Sequence, residues 1–340
     1  MSNLNTHKRL QNTPLSILDL VPVLSGKTPA DSFKNSLDLA QNAERFGYKR
    51  FWMSEHHNMQ GVASSATAVL IAYIAGGTST IRVGAGGIML PNHAPLVVAE
   101  QFGTLESLYH NRIDLGLGRA PGTDQLTTIA LRRDPRGGED FPANVLELKN
   151  YFAASNAANK VRAVPGEGLD IPIWLLGSST YSAQLAGILG LPFAFASHFA
   201  PALLHTAIKV YRENFQPSDT LKKPYVMAGV NVVAAESDDQ AKHLASSLYA
   251  FFLNVVRGTS NPLQPPVNIE AIWNSSEKFA IQQMLGYSFV GDPDSIRSQL
   301  QDFIDKTQVD EIMVVSNIFD PPARIRSYEI LSQLGLSNKI

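Results

Sequence analysis

Residues 50–57, RFWMSEHH, decide the fold. Phe51, Trp52 and Met53 form a bulky, uninterrupted apolar run. That is the pattern of a short strand buried on both faces, as in a parallel sheet covered by helices. Ser54, Glu55, His56 and His57 then arrive together where the strand stops. Titratable side chains are costly to bury without partners, so three of them at one strand end predict a cleft. In parallel α/β folds that cleft lies at the C-terminal ends of the strands. The stretch therefore points to an enzyme.

Working outward, strand and helix patterns alternate. Residues 1–13 are polar and are expected to form a loose arm. Strands are expected at 15–23, 50–55, 81–91, 111–118, 171–177, 191–198, 224–236 and 310–317. Helices are expected at 29–46, 63–76, 94–109, 145–158, 179–189, 201–215, 238–256, 275–285, 293–307 and 322–336. Eight strand–helix units are the count of a TIM (β/α)8 barrel, whose typical length is about 250 residues. The 340 residues here exceed that, and the irregular stretches 120–171 and 258–290 account for the excess as insertions over the C-terminal mouth. An open doubly wound sheet in two domains is the competing arrangement. No composition break or linker divides the chain, so a single domain over 1–340 is expected.

Composition narrows the function. The net charge of −2 gives no basic excess for neutralising phosphates, which argues against nucleic acid as a partner. The chain has no cysteine, which removes disulfides, thiolate catalysis and Cys-ligated metal sites. The polar N-terminus lacks an apolar signal core, and no apolar run reaches membrane-spanning length. A cytoplasmic location is expected.

Four segments carry candidate chemistry. At Glu55-His56-His57, one reading is a structural cap and another a general acid/base histidine oriented by a carboxylate. A metal site is disfavoured, because adjacent strand residues point to opposite faces and no HxH or HExxH spacing is present, although His93 and His198 are available as further ligands. In VGAGGIMLP (83–91), Gly86 and Gly87 mark a bulge, tight packing or close approach to a ligand. In RIDLGLGRAPGTD (112–124), Arg119 follows a strand end and suits an anion or a heteroaromatic carbonyl. In LLGSSTYSAQLAG (175–187), Gly177 ends a strand. Ser178, Ser179, Tyr181 and Ser182 then crowd a helix start, where free N–H groups favour a phosphate; simple N-capping by one serine is the alternative.

These segments, in this order and spread over nearly the whole chain, resemble the bacterial luciferase-like flavin monooxygenase family. The resemblance implies a TIM barrel binding FMN at its mouth, with reduced FMN as co-substrate, O2, and a small organic substrate. It implies that His56 is the active-site histidine, with Glu55 setting its orientation or a neighbouring contact. Gly86-Gly87 matches the pair that forms a non-prolyl cis peptide beneath the flavin ring. Arg119 matches the arginine that contacts flavin or its phosphate, and Gly177, Ser178, Ser179, Tyr181 and Ser182 fall in the phosphate segment. Luciferase itself carries a cysteine where this chain has Gly118, so light emission is not implied. Some barrel relatives use a deazaflavin, but the likeness is closer to the FMN branch. No nicotinamide fingerprint is present, which fits a separate flavin reductase. The resemblance also favours a homodimer built through 63–76 and 94–109. A non-catalytic flavin-binding barrel and a phosphosubstrate barrel enzyme are the alternatives.

Overall fold

The computed structural model describes residues 8–120, 124–133, 138–154 and 160–334. Its strands are β1 (Leu15–Asp19), β2 (Arg50–Met53), β3 (Arg82–Met89), β4 (Ile113–Gly118), β5 (Ile173–Gly177), β6 (Phe193–Phe195), β7 (Val226–Ala234), β8 (Ser288–Gly291) and β9 (Glu311–Val315). All pairings between them are parallel. Strands β1 to β7 and β9 close an eight-membered ring, with β6 meeting β7 and β9 returning to β1. This is the expected TIM barrel. Its helices are α1 (Pro29–Arg45), α2 (Thr67–Gly76), α3 (Pro95–Leu108), α4 (Gln125–Ala130), α5 (Phe141–Phe152), α6 (Thr180–Leu189), α7 (Leu204–Asn214), α8 (Asp238–Val256), α9 (Ser275–Met284), α10 (Pro293–Thr307) and α11 (Pro321–Leu334).

Local chemistry sets many of these boundaries. Thr28 and Asp31 form a reciprocal capping box at the start of α1, with Pro29 at the first helical position. Asp292 caps α10 ahead of Pro293 by accepting from the Ser295 N–H. Gly190 ends α6 in the left-handed region, at φ 61°, where a residue without a Cβ is favoured.

Alternation along the barrel strands separates an outer core from an inner one. Ile17, Phe51, Val83 and Leu115 point outward into the layer shared with the helices. Leu18, Trp52, Trp174, Ala194, Met227 and Met313 point inward and fill the barrel as an apolar plug. Beneath the plug, at the N-terminal end, lies a buried ionic cluster. Arg50 donates from Nε to Glu311 (2.7 Å) and from Nη1 to Asp114 (2.7 Å). Its guanidinium lies 4.7 Å from the Trp174 ring centroid.

Three expectations need correction. Residues 8–13 are not a loose arm: Leu10 is buried, its N–H donates to Gln301, and Lys8 pairs with Asp310. Apolar burial and a salt bridge to the barrel tie this segment down. The remainder of the arm, residues 1–7, lies outside the described residues. The second insertion also contains an unforeseen strand, β8, which pairs with the far half of β7. Strand β7 is long enough to pair with β6 and β9 through its first half and with β8 through its second. The expected helix over 145–158 is α5, which starts at Phe141 and ends at Phe152; residues 155–159 lie outside the described residues.

Candidate active site at the barrel mouth

A cavity of about 1000 Å³, counting its open mouth, sits above the apolar plug. His56, Gly86, Gly87, Arg119, Ser178 and His198 are among its walls. Its floor is Leu18, Trp52, Leu176, Met227 and Met313. Every wall comes from the C-terminal end of a strand or the loop beyond it, as the barrel's geometry requires.

Glu55 and His56 separate at once. His56 lines the cavity. Glu55 is 1% exposed and turns into the wall between the β2 and β3 loops. Its carboxylate meets His57 Nε2 at 2.9 Å and His93 Nε2 at 2.8 Å. It also accepts from the Met89 backbone N–H (3.0 Å) and from Asn92 Nδ2 (3.3 Å). Burial alone would push the Glu55 carboxyl up. The hydrogen bonds from His57, His93 and Met89 outweigh that and hold it at about 2. Glu55 is therefore bonded to the loops after β2 and β3 and is not among the cavity walls. His57 joins Glu55 and is not among the cavity walls.

The Gly86–Gly87 peptide is cis, and the β3–β4 register shifts between Ala85 and Ile88. Both glycines line the cavity, and both are also demanded by packing. A Cβ on Gly86 would sit 2.8 Å from Leu18 Cδ1, and one on Gly87 would sit 2.7 Å from the Gly116 carbonyl oxygen. The bulge and tight-packing readings thus meet at one place, on the cavity wall.

Gly177, Ser178, Ser179 and Ser182 line the cavity at the start of α6. Ser179 is the N-cap residue, but its side chain makes no capping hydrogen bond. The hydroxyl is not spent on the helix, which removes the simple-capping alternative. Tyr181 is not among the cavity walls; its ring carries the Arg119 guanidinium, 4.2 Å from the centroid. Arg119 is held beside the uncapped helix start in this way.

The structure adds two histidines. His93 completes the Glu55 brace. His198, at the end of the β6 segment, lines the cavity with His56. Burial and then the neighbouring His56 push its imidazole down to about 4. The sequence offered both only as spare metal ligands, although the LPFAFASH run did end a strand on Ser197 and His198.

The family model for luciferase-like monooxygenases matches residues 14–311. A protein of Escherichia coli (strain K12) named luciferase-like monooxygenase is 53% identical over 317 residues, covering 93% of this chain and 95% of its own. The N-acetyl-S-alkylcysteine monooxygenase of Bacillus subtilis (strain 168) is 36% identical over 245 residues, 68% of this chain and 71% of its own. The crystal structure of apo-MsnO8 is 35% identical, with a TM-score of 0.88 over 95% of this chain and 98% of that one. At the level of fold alone, the barrel also matches the FMN complex of the oxygenating constituent of 3,6-diketocamphane monooxygenase (TM-score 0.72) and an F420-dependent secondary alcohol dehydrogenase (TM-score 0.70). The chain belongs to the luciferase-like monooxygenase family and is an oxidoreductase of that family by its relatives. No helix among the described residues is long and apolar enough to cross a membrane.

Proposed function

We propose that the cavity binds FMN and that the protein uses reduced FMN and O2 to oxidise a small organic substrate. The observation that carries this reading is the division of the cavity. One end is an uncapped helix start with free serine hydroxyls and a stacked arginine, the chemistry of a phosphate site. The rest is largely apolar, with a glycine wall free of side chains and two histidines, the chemistry of a heteroaromatic ring site. Ser178, Ser179 and Ser182 donate to the phosphate with the first-turn N–H groups of α6, and Arg119 supplies the positive charge, steadied by Tyr181. Gly177 keeps backbone close to the ligand. Gly86 and Gly87 form the wall against the ring.

Reduced FMN, when bound, supplies the electrons and the site of O2 activation. His56, on the cavity wall, holds or delivers a proton, as an imidazole can. Glu55 acts at one remove, by fixing the loops on either side. A separate flavin reductase supplies the reduced cofactor. A second copy of the chain covers α2 and α3, whose Val69, Tyr73, Val97 and Leu108 are exposed apolar side chains; sedimentation as a monomer at micromolar concentration would remove this part.

The test begins with titration of oxidised FMN, followed by oxygen and product analysis with reduced FMN, using an N-acetyl-S-alkylcysteine thioether as first probe among a panel of small substrates. His56→Ala should bind FMN within about twofold of wild type and lose roughly 10²–10⁴-fold in product formation, with oxygen diverted to hydrogen peroxide. A His56→Ala variant that couples oxygen to product as wild type does would remove His56 from the chemistry.

A further inference from the structure

His198 is a buried imidazole whose surroundings fix which nitrogen carries its proton. The residue is 9% exposed. Its Nδ1 is sealed from solvent with no hydrogen-bond partner. That nitrogen faces the backbone of β7: a Cβ built on Gly229 would stand 2.4 Å from it. The segment is pinned, because Asn231 Nδ2 donates to the His198 carbonyl at 2.5 Å and Ser197 Oγ donates to the Gly229 carbonyl at 2.6 Å. The ring also meets Phe199 edge to face, with centroids 4.9 Å apart. The imidazole therefore has little freedom to flip.

A buried N–H without an acceptor is rarer than an under-used acceptor. An Nδ1 proton would have no partner here, and an imidazolium would carry one there as well. The neutral ring must keep its lone pair at Nδ1 and its proton at Nε2. The His198 side chain lines the cavity, so with Nδ1 sealed against β7 it is the Nε2–H that is offered inward. The phosphate-like chemistry lies elsewhere in the cavity, at Arg119 and the start of α6.

We propose that His198 is a fixed, neutral hydrogen-bond donor that holds an uncharged acceptor, a carbonyl oxygen or ring nitrogen, on the heteroaromatic part of the bound ligand. In its ligand this rests on the FMN reading, whereas the tautomer does not. His198 thus anchors the ring, and Ser178 and Ser179 anchor the phosphate.

The decisive experiment has two arms. In ligand-free protein with 15N-labelled histidine, the imidazole shifts of His198 at pH 7 should report Nε2–H with a bare Nδ1. A proton on Nδ1 would overturn the proposal. In the second arm, oxidised FMN and riboflavin are titrated separately. His198→Phe should weaken both by a similar factor, roughly three- to tenfold, while His198→Gln, which returns an N–H to the same reach, should recover most of the loss. Gly229→Ala, which drives a methyl against Nδ1 from behind and leaves the donor in place chemically, should repeat the pattern of His198→Phe. A folded His198→Phe protein that binds both flavins as wild type does, or one that loses FMN alone, would overturn the assignment. Failure of wild-type protein to bind either flavin would instead sink the FMN reading, and the tautomer would still decide whether the donor exists.

Discussion

The two ends of the barrel treat buried polar groups in opposite ways. At the N-terminal end, Arg50 is shared between Asp114 and Glu311, while Arg82 bonds Asp114 and Tyr225 bonds Glu311. Each charge there has opposite charge or a donor within reach, as burial demands. At the C-terminal end, the buried Ser54 Oγ on the cavity wall has no partner, and the Ser179 cap hydroxyl, also on that wall, is unspent. The same apolar plug separates the ends. Paired charges can be sealed beneath the plug, whereas unspent hydroxyls on a cavity wall are the donors that the proposed ligand would use.

Breaking the closed end should have the largest effect on stability. Arg50→Met leaves two buried carboxylates without their shared cation, which should cost about 3–5 kcal/mol in denaturant unfolding. FMN affinity of the folded protein should not change. A variant as stable as wild type would mean that the cluster is not what closes this end.

Glu55 tests the boundary between the ends, since it lies at the mouth yet is fully partnered. Its folded pKa of about 2 lies below the ordinary 4.5. The depressed value means stability that is present above about 4.5 and lost as pH falls toward 2. Linkage makes it worth roughly 3 kcal/mol at neutral pH. Glu55→Gln should lose a comparable amount at pH 6 and flatten the stability profile between pH 4.5 and 2. An unchanged acid limb, measured by denaturant melts through that window, would show that Glu55 is not the brace.

At the open end, effects should fall on ligand rather than on stability. Ser178→Ala with Ser179→Ala should weaken FMN binding tenfold or more, since each hydrogen bond to a charged group contributes roughly 1.5–3 kcal/mol. Riboflavin, lacking phosphate, should bind almost unchanged, and the thermal midpoint should stay put. Equal losses for both ligands would contradict the phosphate assignment. Tyr181→Leu should have the smallest effect. An exposed cation–π contact is worth roughly 0.5–1 kcal/mol, so FMN affinity should fall about two- to fivefold through a less ordered Arg119. No change on calorimetric titration would leave Arg119 independent of its stack.

The legible parts of this chain were those written in local pattern. Each barrel strand was a short apolar run followed by helical spacing, and α8 and α10 fall on their expected bounds, residues 238–256 and 293–307. Strand β8 was missed because SFVG is four residues with alternating burial, too brief to stand out between two helices. It exists because β7 overshoots the barrel and offers a free edge. Residues 8–13 misled for a related reason: polar composition hides one buried leucine whose partners lie some 290 residues away.

By itself the sequence determined the order of strands and helices, and with it the end of the barrel at which His56, Gly86, Gly87, Arg119 and the serine run emerge. Those follow from hydrophobic periodicity and from the rule that places sites at strand C-termini. Only the tertiary structure decided what each polar group does there. Barrel closure brings Glu55 to His93 across 38 positions, stacks Arg119 on Tyr181, and sets His198 against Gly229 with one nitrogen sealed. Such pairings depend on strand register and on what a neighbouring backbone leaves room for, and neither is encoded in any local stretch of residues.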